Sequence, residues 1–222
     1  IIILDNCSND NTPQLISCLT SRFSHIQTYK INDYRDSHEY ISSYAGTDTW
    51  AFGIDGDELY DPRGLAIFRT ELLAGIYDQN WSIFGNVLNC VELDLFKGIA
   101  KGYLSPPSRS MTKLFNFGAL ESWNGSCERF HGGEKKFVSG YDETKRLSLH
   151  EVTSWDTASF RCLHLCFIRR SSLERGKNLS RLQPGERANW LKQLDRLGLG
   201  RLSSVIRKEK RSPWKDEKYR LG

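Results

Sequence analysis

Asp55 and Asp57 stand one residue apart where an apolar run, Trp50-Ala51-Phe52-Gly53-Ile54, comes to an end, and Glu58 follows them. Two carboxylates this close cannot both enter a core without a counter-charge. A hard divalent cation answers that need. Mg²⁺ typically takes one or two protein carboxylates together with substrate phosphates. The spacing therefore predicts a site where Asp55 and Asp57 hold a divalent cation on a diphosphate. The same residues also fit a solvated turn, and an acidic pair alone is a weak signal. The elements around it carry the argument.

The run Trp50 to Ile54 is short and rich in aromatic and branched residues, which suits a buried strand. Gly56 lets the backbone turn tightly after it. The carboxylates then lie at the carboxyl end of a strand, where open α/β sheets place their ligands. Ile1 to Leu4 is a branched apolar run of the parallel-strand type. It ends in the polar loop Asp5-Asn6-Cys7-Ser8-Asn9-Asp10-Asn11-Thr12. Thr12 followed by Pro13 predicts an N-cap with proline at the first helical position. The helix is expected to run to about Arg22 and to bury Leu15, Ile16, Cys18 and Leu19. A strand over Ile26 to Ile31 and a helix over 36–45 lead to the strand at Trp50. The prediction is strand-helix-strand-helix-strand, paired in parallel through right-handed crossovers.

Further along, Pro62 opens a helix to about Tyr77, with Leu65, Ile67, Phe68, Leu72, Leu73 and Ile76 as its apolar positions. Trp81 to Leu93 reads as a strand, Lys97 to Ser110 as a loop, and Thr112 to Phe117 as a strand. A polar loop over 124–133 holds Arg129 and His131. Strands are expected over 135–138, 147–152 and 160–168, and an amphipathic helix over Glu186 to Leu197. An α/β half, a strand-rich half and a helical tail suggest a domain over 1–180 with a basic helical extension over 181–222.

Composition sets outer limits. Hydrophobic content of 39% and charged content of 26% are ordinary for a soluble globular chain. No apolar run reaches the length of a membrane span and no signal peptide is visible. The chain starts at Ile1 and reads as a fragment. Its six cysteines are scattered, with no C-x-x-C spacing, which predicts reduced thiols in a cytoplasmic protein. Charge is uneven. Residues 169–222 carry 16 Lys and Arg against 6 Asp and Glu, while residues 1–168 carry 15 against 21. Such a tail can meet anionic lipid or nucleic acid, or can simply be a solvated appendage.

The two acidic loops, Asp5-Asn6-x-Ser8-x-Asp10-x-Thr12 and Trp50 with Asp55-Gly56-Asp57-Glu58-Leu59, resemble glycosyltransferases of the family 2 kind. The likeness is to a bacterial subgroup carrying an Asp-Asn-x-Ser-x-Asp loop and an Asp-x-Asp-Glu motif. It is good over residues 1–60 and looser over 110–178. It implies a GT-A fold: a Rossmann-like mixed, mainly parallel sheet flanked by helices. It further implies that Asp5, Asn6, Ser8 and Asp10 help bind the sugar nucleotide, a UDP- or GDP-linked donor. In such enzymes the Asp-x-Asp coordinates Mn²⁺ or Mg²⁺ on the diphosphate. His164, heading the run His164-Leu165-Cys166-Phe167-Ile168-Arg169-Arg170, resembles a third metal ligand of the same subgroup. Lys113 with His131 resembles another pair that contacts the donor. The family normally begins with a strand about thirty residues before the first acidic loop, and this chain starts after it.

The chemistry asks for more groups. Arg169, Arg170 or Lys177 could clamp the diphosphate. An inverting reaction needs a carboxylate base for the acceptor hydroxyl, and Asp142 and Glu121 are the candidates. The acceptor would be a glycan or a lipid-linked chain, with peripheral contact to anionic membrane through the basic tail and no specific nucleic acid. Two rivals share the residues. A phosphatase of the haloacid dehalogenase type would use Asp55 as nucleophile, but it expects Gly-Thr where Glu58-Leu59 stand. A non-enzymatic nucleic-acid or anionic-surface module would use the tail, with Trp190 and Trp214 stacking on bases.

Overall fold

The computed structural model describes residues 1–104, 110–124 and 133–168, with 110–113 described by backbone alone. Over these residues the chain is a mixed α/β protein dominated by strands. It opens with β1 (Ile2–Asp5), α1 (Thr12–Arg22) and β2 (Gln27–Lys30), and β1 pairs β2 in parallel from Ile2 opposite Gln27 to Asp5 opposite Lys30. Helix α1 starts one residue earlier than Thr12 capping would allow. The Asp10 carboxylate accepts the Thr12 N–H at 2.9 Å, which supplies the turn instead. The expected buried face of α1 is not buried: Leu15 is 64% exposed and Leu19 40%.

The helix expected over 36–45 is replaced by two 3₁₀ segments, Tyr34–Tyr40 and Ser42–Tyr44. Local side chains decide this. Asp33 accepts from the Arg35 N–H at 2.9 Å, and Asp36 accepts from the Asp33 N–H at 3.2 Å, so short-range bonds compete with a regular α-helix.

A larger correction concerns β3 (Trp50–Phe52). It does not extend the β1–β2 pair. It pairs antiparallel with β7 (Ser110–Asn116) at the edge of a seven-stranded sheet. The other strands of that sheet are β4 (Glu58–Tyr60), β5 (Ser82–Asp94), β6 (Ile99–Tyr103), β10 (Arg146–Ser148) and β11 (Arg161–His164). The main path is β3-β7-β5-β11-β4, with β6 and β10 also pairing β5. Strands β10 and β11 run parallel to β5, whereas β6 and β7 are antiparallel to it and β4 is antiparallel to β11. The sheet is thus mixed rather than mainly parallel. Strand β6 occupies part of the expected loop over Lys97 to Ser110. The expected strand over 147–152 is β10 followed by one helical turn, α3 (Leu149–Val152). Strands β8 (Leu120–Asn124) and β9 (Glu134–Phe137) form a separate antiparallel pair.

Helix α2 (Pro62–Leu73) is shorter than expected and buries a narrower stripe. Leu65, Phe68 and Leu72 pack against Ile83, Leu114 and Phe160, while Ile67, Leu73 and Ile76 stay exposed. A second cluster, of Trp81, Phe115, Phe117, Leu120 and Trp123, fills the end of the sheet where β5 begins. Among the described residues no helix is long and apolar enough to cross a membrane.

Asp61 joins α2 to the sheet. Its Oδ1 accepts the Arg63 and Gly64 N–H groups at 3.1 Å, capping the helix. Its Oδ2 accepts from Arg161 Nε at 3.1 Å and Nη2 at 2.9 Å. Only glycine fits at position 64, because a Cβ there would lie 2.1 Å from the Ser159 carbonyl oxygen. The Gly64 N–H first and the Arg161 guanidinium second hold the Asp61 carboxyl below its ordinary value of 3.8. A depressed folded-state value stabilises the fold above the ordinary carboxylate range, and the stabilisation is lost as pH falls through the folded value. Asp61→Asn is expected to lower stability at neutral pH by about 1–2 kcal/mol. It should also flatten the acid limb of the stability curve. Urea midpoints taken from neutral pH down through the carboxylate range test this, and an unchanged acid limb would contradict it.

Candidate metal centre

The Asp-Gly-Asp-Glu segment is a closed turn. The Glu58 N–H donates to the Asp55 carbonyl at 3.1 Å, and the Asp55 N–H donates back to Glu58 Oε2 at 3.0 Å. That carboxylate is buried at 6% exposure and also accepts the Tyr60 hydroxyl at 3.3 Å. Burial pushes the Tyr60 phenol far above its ordinary range, so the hydroxyl keeps its proton and remains a donor. Glu58 is therefore the residue that shapes the acidic turn from within.

The end of β11 then fixes what faces the turn. Strand β4 pairs β11 with Glu58 opposite His164, and the Leu165 N–H donates to the Asp57 carbonyl at 2.8 Å. These bonds bring His164 Nε2 to 3.7 Å from Asp57 Oδ2. The other ring nitrogen, Nδ1, lies 3.0 Å from Asn89 Oδ1 on the neighbouring strand β5, and His164 is buried. An N···O separation of 3.7 Å is too long for a good hydrogen bond. It suits two ligands that share a cation between them, since metal–ligand distances to N and O are about 2.0–2.2 Å. Among the described residues no group of three or more His, Cys, Asp and Glu is placed to hold a metal ion. Any cation here would take two protein donors and complete its shell from substrate and water.

The first acidic loop lies beside this site. A cleft of about 670 Å³ is lined on one side by Ile2, Leu4 and Asn6 and on the other by Phe52, Asp55 and Gly56. Asn6 and Asp55 therefore share a cleft although β1 and β3 lie in different sheets. The Asn6 amide, oriented with its nitrogen toward β2, donates to the Asn32 and Ile31 carbonyls at 3.0 and 3.2 Å. Asp5 Oδ1 accepts from the Ser8 N–H at 3.2 Å, so Asp5, Ser8 and Asp10 are all engaged in forming the loop. The Thr12 hydroxyl and N–H hold the Asp10 carboxyl below its ordinary value.

The two candidate bases are not brought to the Asp57–His164 pair. Asp142 lies in the turn before β10, its Oδ1 accepting the Thr144 N–H at 2.7 Å. That turn sits where β5 begins, since the Trp81 N–H donates to the Lys145 carbonyl and Tyr141 donates to the Asp78 carbonyl. Seven residues of β5 separate that end from Asn89, roughly 23 Å of extended chain. Glu121 is on β8, paired with Lys136 of β9. Strand β8 packs Leu120 and Trp123 on the Trp81 cluster, again away from His164. Both carboxylates thus lie on elements that lead away from the Asp57–His164 pair.

His38 is a satisfied core histidine, with Nε2 2.7 Å from the Trp123 carbonyl oxygen. His131, Arg169, Arg170, Lys177, the side chain of Lys113 and the basic extension over 181–222 lie outside the described residues. Asn89 contacts His164 and Tyr60 contacts Glu58 of the Asp-Gly-Asp-Glu motif, and neither was singled out in the sequence. Asn89 alone had a visible signal, as an amide inside the apolar run Val87-Leu88-Asn89-Cys90-Val91. Comparison of the chain with protein families, characterised proteins and solved structures finds no match.

Proposed function

We propose that this chain is a metal-dependent glycosyltransferase of the GT-A type. It would move a sugar from a nucleoside-diphosphate donor, UDP- or GDP-linked, to a hydroxyl of a glycan or lipid-linked acceptor. One observation carries the reading: Asp57 and His164, distant in sequence, face each other at 3.7 Å beside the Asp55 turn. The donor set fits Mn²⁺ or Mg²⁺ with phosphate oxygens completing the shell, and the imidazole nitrogen favours Mn²⁺ over the harder Mg²⁺. When bound, the cation would neutralise charge on the departing diphosphate as a Lewis acid. Asp57 Oδ2 and His164 Nε2 would hold it. Glu58, with the Tyr60 hydroxyl, keeps the turn in the conformation that presents Asp57. Asn6 and Asp55 line the cleft in which the nucleoside would lie. Arg169 and Arg170 follow His164 closely in sequence and would add positive charge on the phosphates. The basic extension would hold the enzyme against an anionic cytoplasmic membrane surface by about 1 kcal/mol per well-placed Lys or Arg.

Thermal unfolding with UDP and GDP, each with and without Mn²⁺, tests the reading. At a hundredfold excess over Kd, binding adds about 2.7 kcal/mol of stability. The expected result is a rise in Tm of a few degrees for at least one nucleotide, only when Mn²⁺ is present. No rise for either nucleotide with metal would overturn the proposal.

A further inference from the structure

Asn89 is fully buried in the middle of β5, and among the described residues its side chain meets Tyr103, Cys166 and His164. Its Nδ2 donates to the Tyr103 carbonyl of β6 at 3.4 Å. Its Oδ1 accepts from the Cys166 thiol at 3.5 Å and lies 3.0 Å from His164 Nδ1. Close approach of β6 makes the first bond available. Gly102 precedes Tyr103, and a Cβ at that position would stand 2.1 Å from the Asn89 carbonyl oxygen.

The polarity of this chain of bonds is determined by one group that cannot reverse. A backbone carbonyl only accepts, so the amide nitrogen of Asn89 faces Tyr103 and the amide oxygen faces His164. That oxygen only accepts as well, so Nδ1 of His164 must donate. A neutral imidazole with its proton on Nδ1 has its lone pair on Nε2, the nitrogen 3.7 Å from Asp57. We infer that Asn89 is a positioning residue, selecting the Nδ1–H tautomer of His164 and turning the Nε2 lone pair toward Asp57. The inference deepens the metal-site reading and rests on it for its purpose. The tautomer itself does not depend on metal. Histidines that bind metals commonly donate their second ring N–H to an acceptor, and loss of that acceptor typically weakens the metal about 10- to 100-fold.

The test is long-range ¹H–¹⁵N NMR of the imidazole rings in the metal-free chain, above the ordinary imidazole range of pH. His164 is assigned by comparison with His164→Gln. The expected spectrum shows a protonated Nδ1 and an unprotonated Nε2. Asn89→Asp, which keeps an acceptor oxygen, should retain it, whereas Asn89→Leu should lose it and bind Mn²⁺ about 10- to 100-fold more weakly. If Asn89→Leu does not fold, the wild-type and Asn89→Asp spectra still decide. An Nε2–H tautomer in the wild type, or a rapidly exchanging mixture, overturns the inference whatever the metal does. The expected tautomer with no Mn²⁺ broadening of the His164 resonances upholds the role of Asn89 and defeats the metal-site reading instead.

Discussion

Asp57→Ala is expected to abolish Mn²⁺-dependent binding of nucleoside diphosphate while leaving the metal-free protein folded. The two halves of this expectation rest on different atoms of one residue. The fold uses the Asp57 carbonyl, which accepts the Leu165 N–H at 2.8 Å, and alanine keeps that bond. The proposed metal uses Oδ2, which alanine removes. His164 Nε2 would then stand as a single protein ligand. Loss of an outer-shell partner costs about 10- to 100-fold in metal affinity, and loss of one of two direct ligands should exceed that. A hundredfold loss corresponds to about 2.7 kcal/mol, enough to flatten a calorimetric titration at ordinary protein concentrations. Titration calorimetry with Mn²⁺ and UDP or GDP is the measurement. If the variant binds as the wild type does, the Asp57–His164 pair is not a metal site.

The acidic turn was legible because its signal is local. An apolar run stopping at Asp-Gly-Asp-Glu specifies a strand end and a tight turn, and the structure has both within Trp50 to Tyr60. His164 was legible through a resemblance of the residues around it, and its approach to Asp57 is then a matter of register between β4 and β11. What could not be read was pairing. Three successive strands joined by long crossovers suggest a parallel sheet, yet β3 pairs antiparallel with β7, some sixty residues further on. A three-residue strand contributes few side chains to specify a neighbour, so the choice falls to non-local packing. Asn89 was missed for a related reason. Alone in the sequence it is a polar residue in a hydrophobic run, and only the simultaneous approach of β6 and β11 gives it a role. Asp142 and Glu121 were placed by residue type alone, and the structure pairs them locally with Thr144 and Lys136 rather than bringing them to the Asp57–His164 pair.

Phe160→Ala should lower stability within the range of about 3–5 kcal/mol for a buried aromatic. Phe160 is 1% exposed and immediately precedes β11. Its ring stacks on Phe68 of α2 at 4.7 Å between centroids and 9° between planes. It meets Phe52 edge-on at 5.5 Å and stacks on Tyr60 at 5.9 Å. One ring thus ties α2 to the sheet strands β3 and β4, and such aromatic pairs add about 0.5–1.5 kcal/mol each beyond the area they bury. The surroundings shift the expected value within its range. Phe160 also lines a cleft of about 660 Å³ with Leu65, Phe68 and Leu72. The space left by alanine would open into that cleft rather than form a sealed void, so water can enter and the cavity penalty is partly relieved. The lower end, about 3 kcal/mol, is therefore expected. For a domain whose total stability is about 5–15 kcal/mol, that removes a large fraction of it. Urea unfolding at constant m-value measures the loss. A change below about 1 kcal/mol would fall outside the range for a buried aromatic. It would mean that the stack on Phe68 does not hold α2 to the sheet, and that the position of β11 depends on the strand ladder alone.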